Sequence, residues 1–178
     1  MEQRYNYGVL DYLDKEIEKE ILGKTISGVY QLEKEDMQMY GFPEGWILDI
    51  CQVGKFGYRY IQITYPGGKL NYTRNYYALG PLCYAKQNGQ EFVICATDYQ
   101  CITIINVTTG ERHTYGDKDA VLGGHGFCPV DITWDEEDSC MTIVGCIWAF
   151  PYERMVCDIP DLNNPIEGLN KAVYYDED

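Results

Sequence analysis

The chain has 178 residues, 28 acidic and 14 basic side chains, and a formal net charge of −14 at pH 7. Its length suits one domain, and a hydrophobic content of 46% allows a buried core without disulfides or metals. The charge argues against a protein that coats nucleic acid or an anionic membrane. The aromatic content of 14% argues against disorder.

The N-terminal segment is charged from Glu2 onward and lacks the apolar core of a signal peptide. No later segment has the ~18 consecutive apolar residues of a membrane span. We therefore expect a cytoplasmic protein that has no membrane partner and whose eight cysteines are reduced thiols. No Cys-x-x-Cys pair occurs, so the cysteines predict neither a zinc ribbon nor a thioredoxin-like site.

The hydrophobic pattern predicts one helix, over residues 9–23, followed by strands. The apolar face of this helix consists of Leu10, Leu13, Ile17 and Ile21. From Thr25 the hydrophobic period changes to two, and turn signals such as Pro66-Gly67-Gly68 separate short apolar runs. We expect a β-rich body over residues 25–160 and an acidic tail over residues 161–178.

Eleven short strands are predicted within this body. They cover Ile26–Leu32, Trp46–Val53, Tyr58–Tyr65, Lys69–Arg74, Pro81–Lys86, Glu91–Thr97, Cys101–Val107, Arg112–Tyr115, Pro129–Trp134, Met141–Trp148 and Tyr152–Ile159. The polar stretch Glu33–Met39 separates the first two. The pattern indicates a mainly β single domain over residues 1–178, with antiparallel meander sheets arranged as propeller-like blades or a sandwich and one N-terminal helix.

Two segments of the body share an order of strands. Pro81–Glu111 and Pro129–Asp161 each contain a strand after a proline, a polar turn and two further apolar strands. The stretches ITIINVTTGERHTYG and VDITWDEEDSCMTIVGCIWAFPYERMVCDI, within residues 81–161, resemble blades of a WD40-type β-propeller. This resemblance implies sheets whose open edges need a cap, a partner or a second copy.

Charge is distributed unevenly along the chain. Residues 117–178 contain fourteen acids against Lys118, Arg154 and Lys171, which is a net charge of −11. Residues 50–90 contain no acid, but they contain five basic residues and seven tyrosines. This separation of charge is the feature of the sequence that bears most directly on function.

Four consecutive carboxylates, Asp135 to Asp138, repel one another, so folding alone does not favour this turn. They predict either a surface for a basic partner or a solvated turn that aids solubility. We expect a non-enzymatic acidic binding or inhibitor protein that docks on a basic, nucleic-acid-handling protein and mimics nucleic-acid charge. Small phage inhibitors of defence nucleases, anti-CRISPR proteins among them, fit this size and charge. The predicted contact residues, which add tyrosine and tryptophan side chains to the charge, are Asp131, Asp135, Glu136, Glu137, Asp138 and Tyr152.

The basic, tyrosine-rich segment 50–90 supports an alternative, because Arg and Lys hold phosphates while aromatic rings stack on bases. The chain would then bind a nucleotide or a single-stranded nucleic acid, although an ordinary half-exposed hairpin has a similar composition. The candidate ligand residues are Arg59, Arg74, Tyr72, Tyr76 and Tyr77. In a further hypothesis, the basic segment of one copy pairs with the acidic segment of another in a homo-oligomer.

A cysteine–histidine enzyme is the remaining alternative. His125 and Cys128, in the glycine-rich loop 123–128, could supply two metal ligands or a nucleophile and its base. Two ligands do not complete a zinc site, and a tight connection between strands explains the glycines equally well. The chain contains no Walker A loop, dinucleotide fingerprint, nucleophile elbow or HExxH motif. We therefore predict no catalytic residue, no metal and no cofactor.

Overall fold

The computed structural model describes residues 3–13, 15, 19, 24–54, 58–75, 81–97, 101–147 and 151–177. The structure is 53% strand and 15% helix, and the strands form three antiparallel sheets, so the mainly β fold class is confirmed. Within the described residues, every helix is too short or too polar to traverse a bilayer.

Short strands alternate with short helices, and residues 11–13, 15 and 19 are also helical. In chain order they are β1 (Tyr7–Val9), β2 (Ile26–Gln31), α1 (Lys34–Met39), β3 (Ile47–Val53), β4 (Tyr58–Tyr65), β5 (Gly68–Asn75), β6 (Leu82–Gln87), β7 (Gln90–Thr97), β8 (Cys101–Asn106), β9 (Arg112–Asp117), α2 (Lys118–Gly123), β10 (Cys128–Asp135), β11 (Cys140–Cys146), β12 (Tyr152–Asp158), α3 (Ile166–Asn170) and β13 (Val173–Asp176).

The chain divides into two compact units. The sandwich unit comprises Met1–Leu10 and Gly80–Asp178, and the meander unit comprises Asp11–Leu79. The sandwich unit contains two sheets, of strand order β1-β9-β8-β7-β6 and β10-β11-β12-β13, and the meander unit contains the sheet β2-β3-β4-β5. The single domain that the sequence predicts over residues 1–178 stays a prediction.

The two sheets of the sandwich unit bury one hydrophobic core between them. Alternate residues of β7, such as Phe92 and Ile94, belong to the same buried cluster as Met141 and Ile143 of β11. All six residues of β8 are buried, which means that this strand is covered on both faces. Period-two alternation therefore positions the core face of each strand, and the central strand of the five-stranded sheet is buried throughout, including its polar residues Thr103 and Asn106.

Asp117, where β9 meets α2, joins three parts of the sandwich unit. Its carboxylate accepts backbone N–H bonds from Asp119 and Ala120, both at 3.0 Å, as the N-cap of α2. It also accepts the backbone N–H of Asn6, before β1, at 2.7 Å. The helix ends at Gly124, whose φ of 72° is left-handed, and the glycines of loop 123–128 thus include a helix C-cap.

The meander unit is an up-and-down sheet. Leu48 of β3 pairs with Ile63 of β4, and both side chains are fully buried. Aromatic packing covers the same end of the unit, since the ring of Trp46 lies 5.7 Å from that of Phe42 and 5.6 Å from that of Tyr65, between centroids. The hydrophobic core of this unit is smaller than that of the sandwich unit, and one of its edge strands, β2, is exposed along its whole length.

Several elements differ from their sequence predictions. The polar stretch before β3 contains the helix α1, and Val9, assigned to the N-terminal helix, ends the strand β1. That predicted helix is helical at residues 11–13, 15 and 19, while residues 14, 16–18 and 20–23 lie outside the described residues. The segment predicted as an acidic tail forms α3 and the edge strand β13. The resemblance of residues 81–161 to propeller blades stays a prediction.

Candidate functional site

The four consecutive carboxylates occupy the hairpin turn between β10 and β11. Asp135 is the last residue of β10, Glu136, Glu137 and Asp138 form the turn, and all four side chains are exposed. The turn is held locally, because the backbone N–H of Asp138 donates to Oδ1 of Asp135 at 3.0 Å. The sequence thus folds into a turn that presents a dense negative charge to solvent.

Sheet register adds two further carboxylates to this charge. Asp135 lies opposite Cys140, and Cys140 lies opposite Asp158 of β12, so the two carboxylates flank one residue on the same side of the sheet. Asp131 precedes Asp135 by four strand positions on that side, at a distance of about 13 Å along the strand. We call this surface the acidic face, and it consists of Asp131, Asp135, Glu136, Glu137, Asp138 and Asp158.

No ion pair among the described residues involves a carboxylate of the acidic face. The described ion pairs are Arg4–Glu153 at 2.7 Å, Arg154–Glu177 at 3.9 Å and Lys171–Glu167 at 2.6 Å. Two of the three basic residues within 117–178 are thus paired with other carboxylates. The acidic face keeps its charge, which is the condition for a long-range electrostatic field.

The field of the acidic face acts on groups beside it. Burial raises the pKa of the Cys140 thiol, and Asp158, Asp135 and Asp138 raise it further because a thiolate there would meet their negative charge. Burial also raises the pKa of Tyr84, together with its hydrogen bond to Glu91 at 2.8 Å and the charge of Glu136. The electrostatic effect of the β10–β11 turn therefore reaches Tyr84 on β6.

Tyr152, predicted as a contact residue, lies at the other end of β12 from Asp158. It pairs with Cys146 and is six positions, about 20 Å, from Asp158. Arg154 lies between them on the same side, with its guanidinium 5.4 Å from the ring centroid of Tyr175. Arg154 is also level with Asp131 across β11, so the register places Tyr152 near Asp131 but far from the turn at residues 135–138.

Trp134, whose strand has an apolar pattern typical of a core position, packs against the core cluster, and its Nε1–H donates to the backbone carbonyl of Lys86 at 3.3 Å. The exposed aromatic side chain of this sheet is Tyr175, at 48% exposure. Asp158 and Tyr175 were missed, although the alternation of Arg154, Val156 and Asp158 along β12 would have placed Asp158 on the outer side.

The alternative, basic site lies on the meander unit. Arg59 of β4 and Arg74 of β5 occupy directly opposite positions in the register, and Tyr72 is paired with Ile61. Arg59 also lines an open cavity of ≈ 350 Å³. Tyr76 and Tyr77 lie outside the described residues. The register therefore brings together both arginines and one of the three predicted tyrosines.

Loop 123–128 does not have the features of a nucleophilic site. The Cys128 thiol is half-buried, and burial raises its pKa, followed by the effect of Cys146. A catalytic cysteine needs a lowered pKa, because the thiolate is the nucleophile. The backbone N–H of His125 donates to the carbonyl of Ala120 at 2.9 Å, as part of the end of α2. Across the described part of the chain, no group of three or more His, Cys, Asp and Glu side chains could hold a metal ion.

Comparisons with known proteins identify no relative of this chain. No family model matches it, and no match was found among curated proteins or solved structures. The functional hypothesis therefore depends on the geometry and charge of the residues themselves.

Proposed function

We propose that this chain is a non-enzymatic acidic binding protein that docks its acidic face on a basic, nucleic-acid-handling partner protein. The observation that supports the proposal is a set of six exposed carboxylates, three on the outer side of strands β10 and β12 and three in the adjoining turn, with no ion pair to any of them among the described residues. Solubility requires charged residues on the surface, but it does not require them to be clustered at one place.

The local arrangement indicates attraction to a cationic surface. Carboxylates that repel one another in the free protein are stabilised when lysines and arginines of a partner lie between them. A partner that normally binds DNA presents such cations at short intervals, because the duplex has one charge per about 1.7 Å of its axis. The acidic face would occupy the same cations, and binding would then inhibit the partner by competition with nucleic acid.

The outer side of the sheet also offers apolar area for the contact. Val144 and Val156 are half-buried on this side, and Tyr175 is exposed beside Arg154. Long-range charge raises the association rate, while a central apolar contact slows dissociation. We propose that Val156 and Tyr175 have this second role.

The test is affinity capture from the source cell with two variants of equal net charge. One replaces Asp135, Glu136, Glu137 and Asp138 by their amides, and the control replaces the exposed Glu33, Glu35, Glu44 and Glu111 by Gln. Basic nucleic-acid-binding proteins should be captured by the wild type and the control and be lost with the first variant. Capture should weaken sharply between about 50 and 200 mM salt, as expected for contacts between charges.

The outcome that would contradict the proposal is equally specific. If the captured proteins are the same for the wild type and for the amide variant, or if binding is insensitive to salt, the acidic face is not the docking surface. Binding of the purified partner should also compete with duplex DNA. If the partner binds this chain and duplex DNA at the same time, without loss of affinity for either, charge mimicry is excluded.

The Arg59–Arg74 pairing favours a second candidate function, a binder of nucleotides or single-stranded nucleic acid. Like charges directly opposite each other on a sheet are destabilising unless an anion lies between them, and a phosphate is such an anion. A short fluorescein-labelled oligothymidylate and a nucleoside triphosphate are suitable probes in a fluorescence and calorimetric titration. Binding that is lost in Arg59→Gln would support this function, and no binding of either probe would exclude it.

A further inference from the structure

Strand β2 is an edge strand with an unusual amount of exposed apolar surface. All six of its residues are exposed, including Ile26 at 47%, Val29 at 63% and Tyr30 at 54%. Among the described residues it pairs with β3 alone, so its outer backbone N–H and C=O groups are available. The strand contains no proline and no charged residue, which are the usual protections of an edge.

The absence of a side chain at Gly28 leaves space beside this edge for a side chain of another strand. A Cβ added at Gly28 would meet nothing within 4 Å, and a cavity of ≈ 350 Å³ adjoins it. Gly28 lies opposite Gln52, which lies opposite Arg59, while Tyr30 lies opposite Ile50. All of these residues therefore share one side of the sheet, and the cavity is lined by Gly28, Val29, Tyr30, Ile50, Gln52 and Arg59.

A strand that pairs with its own copy in antiparallel orientation must place equivalent residues about a two-fold axis. When Val29 lies on that axis, Tyr30 of each copy lies directly opposite Gly28 of the other. An aromatic ring over a cross-strand glycine covers exposed backbone and is a recognised way to stabilise such a pair. Sheet register shifts only at the start of β2, between Ile26 and Gly28, so residues 28–31 are regular enough to pair.

We propose that a second copy of this chain adds its β2 to β2, with Tyr30 of each copy in the cavity beside Gly28 of the other. The two four-stranded sheets then form one continuous eight-stranded sheet. This pairing of the two β2 strands gives hydrogen-bond partners to their outer backbone groups. It also covers Val29 and Tyr30, which are the most exposed apolar side chains of the strand.

Charge favours a second copy over an acidic or basic foreign strand. Residues 26–31 are uncharged, so no like charges face each other across the axis. The same register would place Lys24 of one copy opposite Lys34 of the other, so the pairing that we propose is confined to the uncharged strand itself.

The experiment is sedimentation equilibrium of the full chain at several concentrations. The wild type should form a dimer, and Val29→Lys should raise its dissociation constant at least about tenfold, because two ammonium groups would meet at the axis. Gly28→Val should weaken the dimer similarly, because the valine side chain would occupy the space that we propose for Tyr30 of the other copy. Met39→Lys is the matched control, since Met39 is 70% exposed on α1, and it should leave the dimer unchanged.

Cross-linking identifies the register. Val29→Cys should form a disulfide that joins residue 29 of one copy to residue 29 of the other, mapped by mass spectrometry of non-reduced peptides. Circular dichroism that matches the wild type shows that each variant is folded. A wild type that stays monomeric, a dimer that survives Val29→Lys, or a disulfide to another residue would each overturn the proposal. The acidic face lies outside β2, so these outcomes are distinct from a failure of the proposed function.

Discussion

Gln87 of β6 donates a hydrogen bond from Nε2 to the backbone carbonyl of Ile159 at 2.7 Å, and so joins the five-stranded sheet to the chain that follows β12. Its Oε1 accepts the backbone N–H of Leu162, also at 2.7 Å. Gln87 is 7% exposed, and Ile159 and Leu162 are almost fully buried. One buried amide therefore satisfies two main-chain groups that have no access to water.

Replacing Gln87 by Leu should lower the free energy of unfolding by about 2–4 kcal/mol. The variant leaves a buried N–H and a buried carbonyl without partners, and each such group costs about 1–3 kcal/mol. Urea denaturation followed by fluorescence measures the change. Gln38→Leu on the exposed side of α1 is the control, with an expected change within about 0.5 kcal/mol. Equal effects of the two substitutions would show that the Gln87 bonds contribute nothing.

Gly145 of β11 should not tolerate even a methyl group. A Cβ at this position would collide with the backbone carbonyl oxygen of Cys128 and would lie 2.8 Å from Cε1 of Phe127. Because the first obstacle is backbone, relief requires a shift of β10, and we expect a loss of about 1–3 kcal/mol for Gly145→Ala. Gly8→Ala in β1 is matched in chemistry but meets nothing within 4 Å, so thermal unfolding should detect a much smaller change.

Two of the eight thiols should react with Ellman's reagent while the protein is folded. Cys128 and Cys140 are half-buried, and the other six cysteines are buried. Burial raises the pKa of both half-buried thiols above the ordinary value of 9.0, with nearby carboxylates adding to the shift of Cys140. Because less thiolate is present at neutral pH, both should react more slowly than a free thiol and accelerate as pH rises past 9. Rapid reaction of Cys128 at pH 7 would instead revive the nucleophile hypothesis.

Repulsion within the acidic turn should lower the free energy of unfolding at low salt, and added salt should remove this effect. Glu136→Gln with Glu137→Gln relieves repulsion without touching the hydrogen bond from Asp138 to Asp135, so we expect a gain of about 0.5 kcal/mol at low ionic strength. The gain should fall towards zero near 1 M salt, where the screening length is only about 3 Å. Urea denaturation at both ionic strengths measures it. A gain that is independent of salt would have a cause other than charge.

Most strands could be predicted because their signal is local. Period-two alternation and the turn residues between strands placed β3 to β12 within two residues of their observed bounds at nearly every end. The helix α1 was missed because Met37 is its single buried residue, which leaves no apolar stripe at helical spacing. Strands β1 and β13 were missed because they are only three and four residues long, and β1 also pairs with a distant strand, β9.

The acidic cluster could be found from the sequence because its core is four adjacent residues. Its full extent could not, since Asp158 joins Asp135 only through the register of β10, β11 and β12. The same register separates Tyr152 from the turn at residues 135–138, although both belong to one acidic region of the sequence. Residues about 20 Å apart on one strand can look close when only composition is counted.

Composition and local pattern alone predict the mainly β character, the separation of charge between the two parts of the chain, and the dense acidic turn at residues 135–138. These properties depend on neighbours along the chain. Which carboxylates form one face, and that β2 is left as an exposed edge among the described residues, became visible only in the folded structure. Those outcomes depend on strand order, register and packing between sheets, which arise from contacts between residues far apart in sequence.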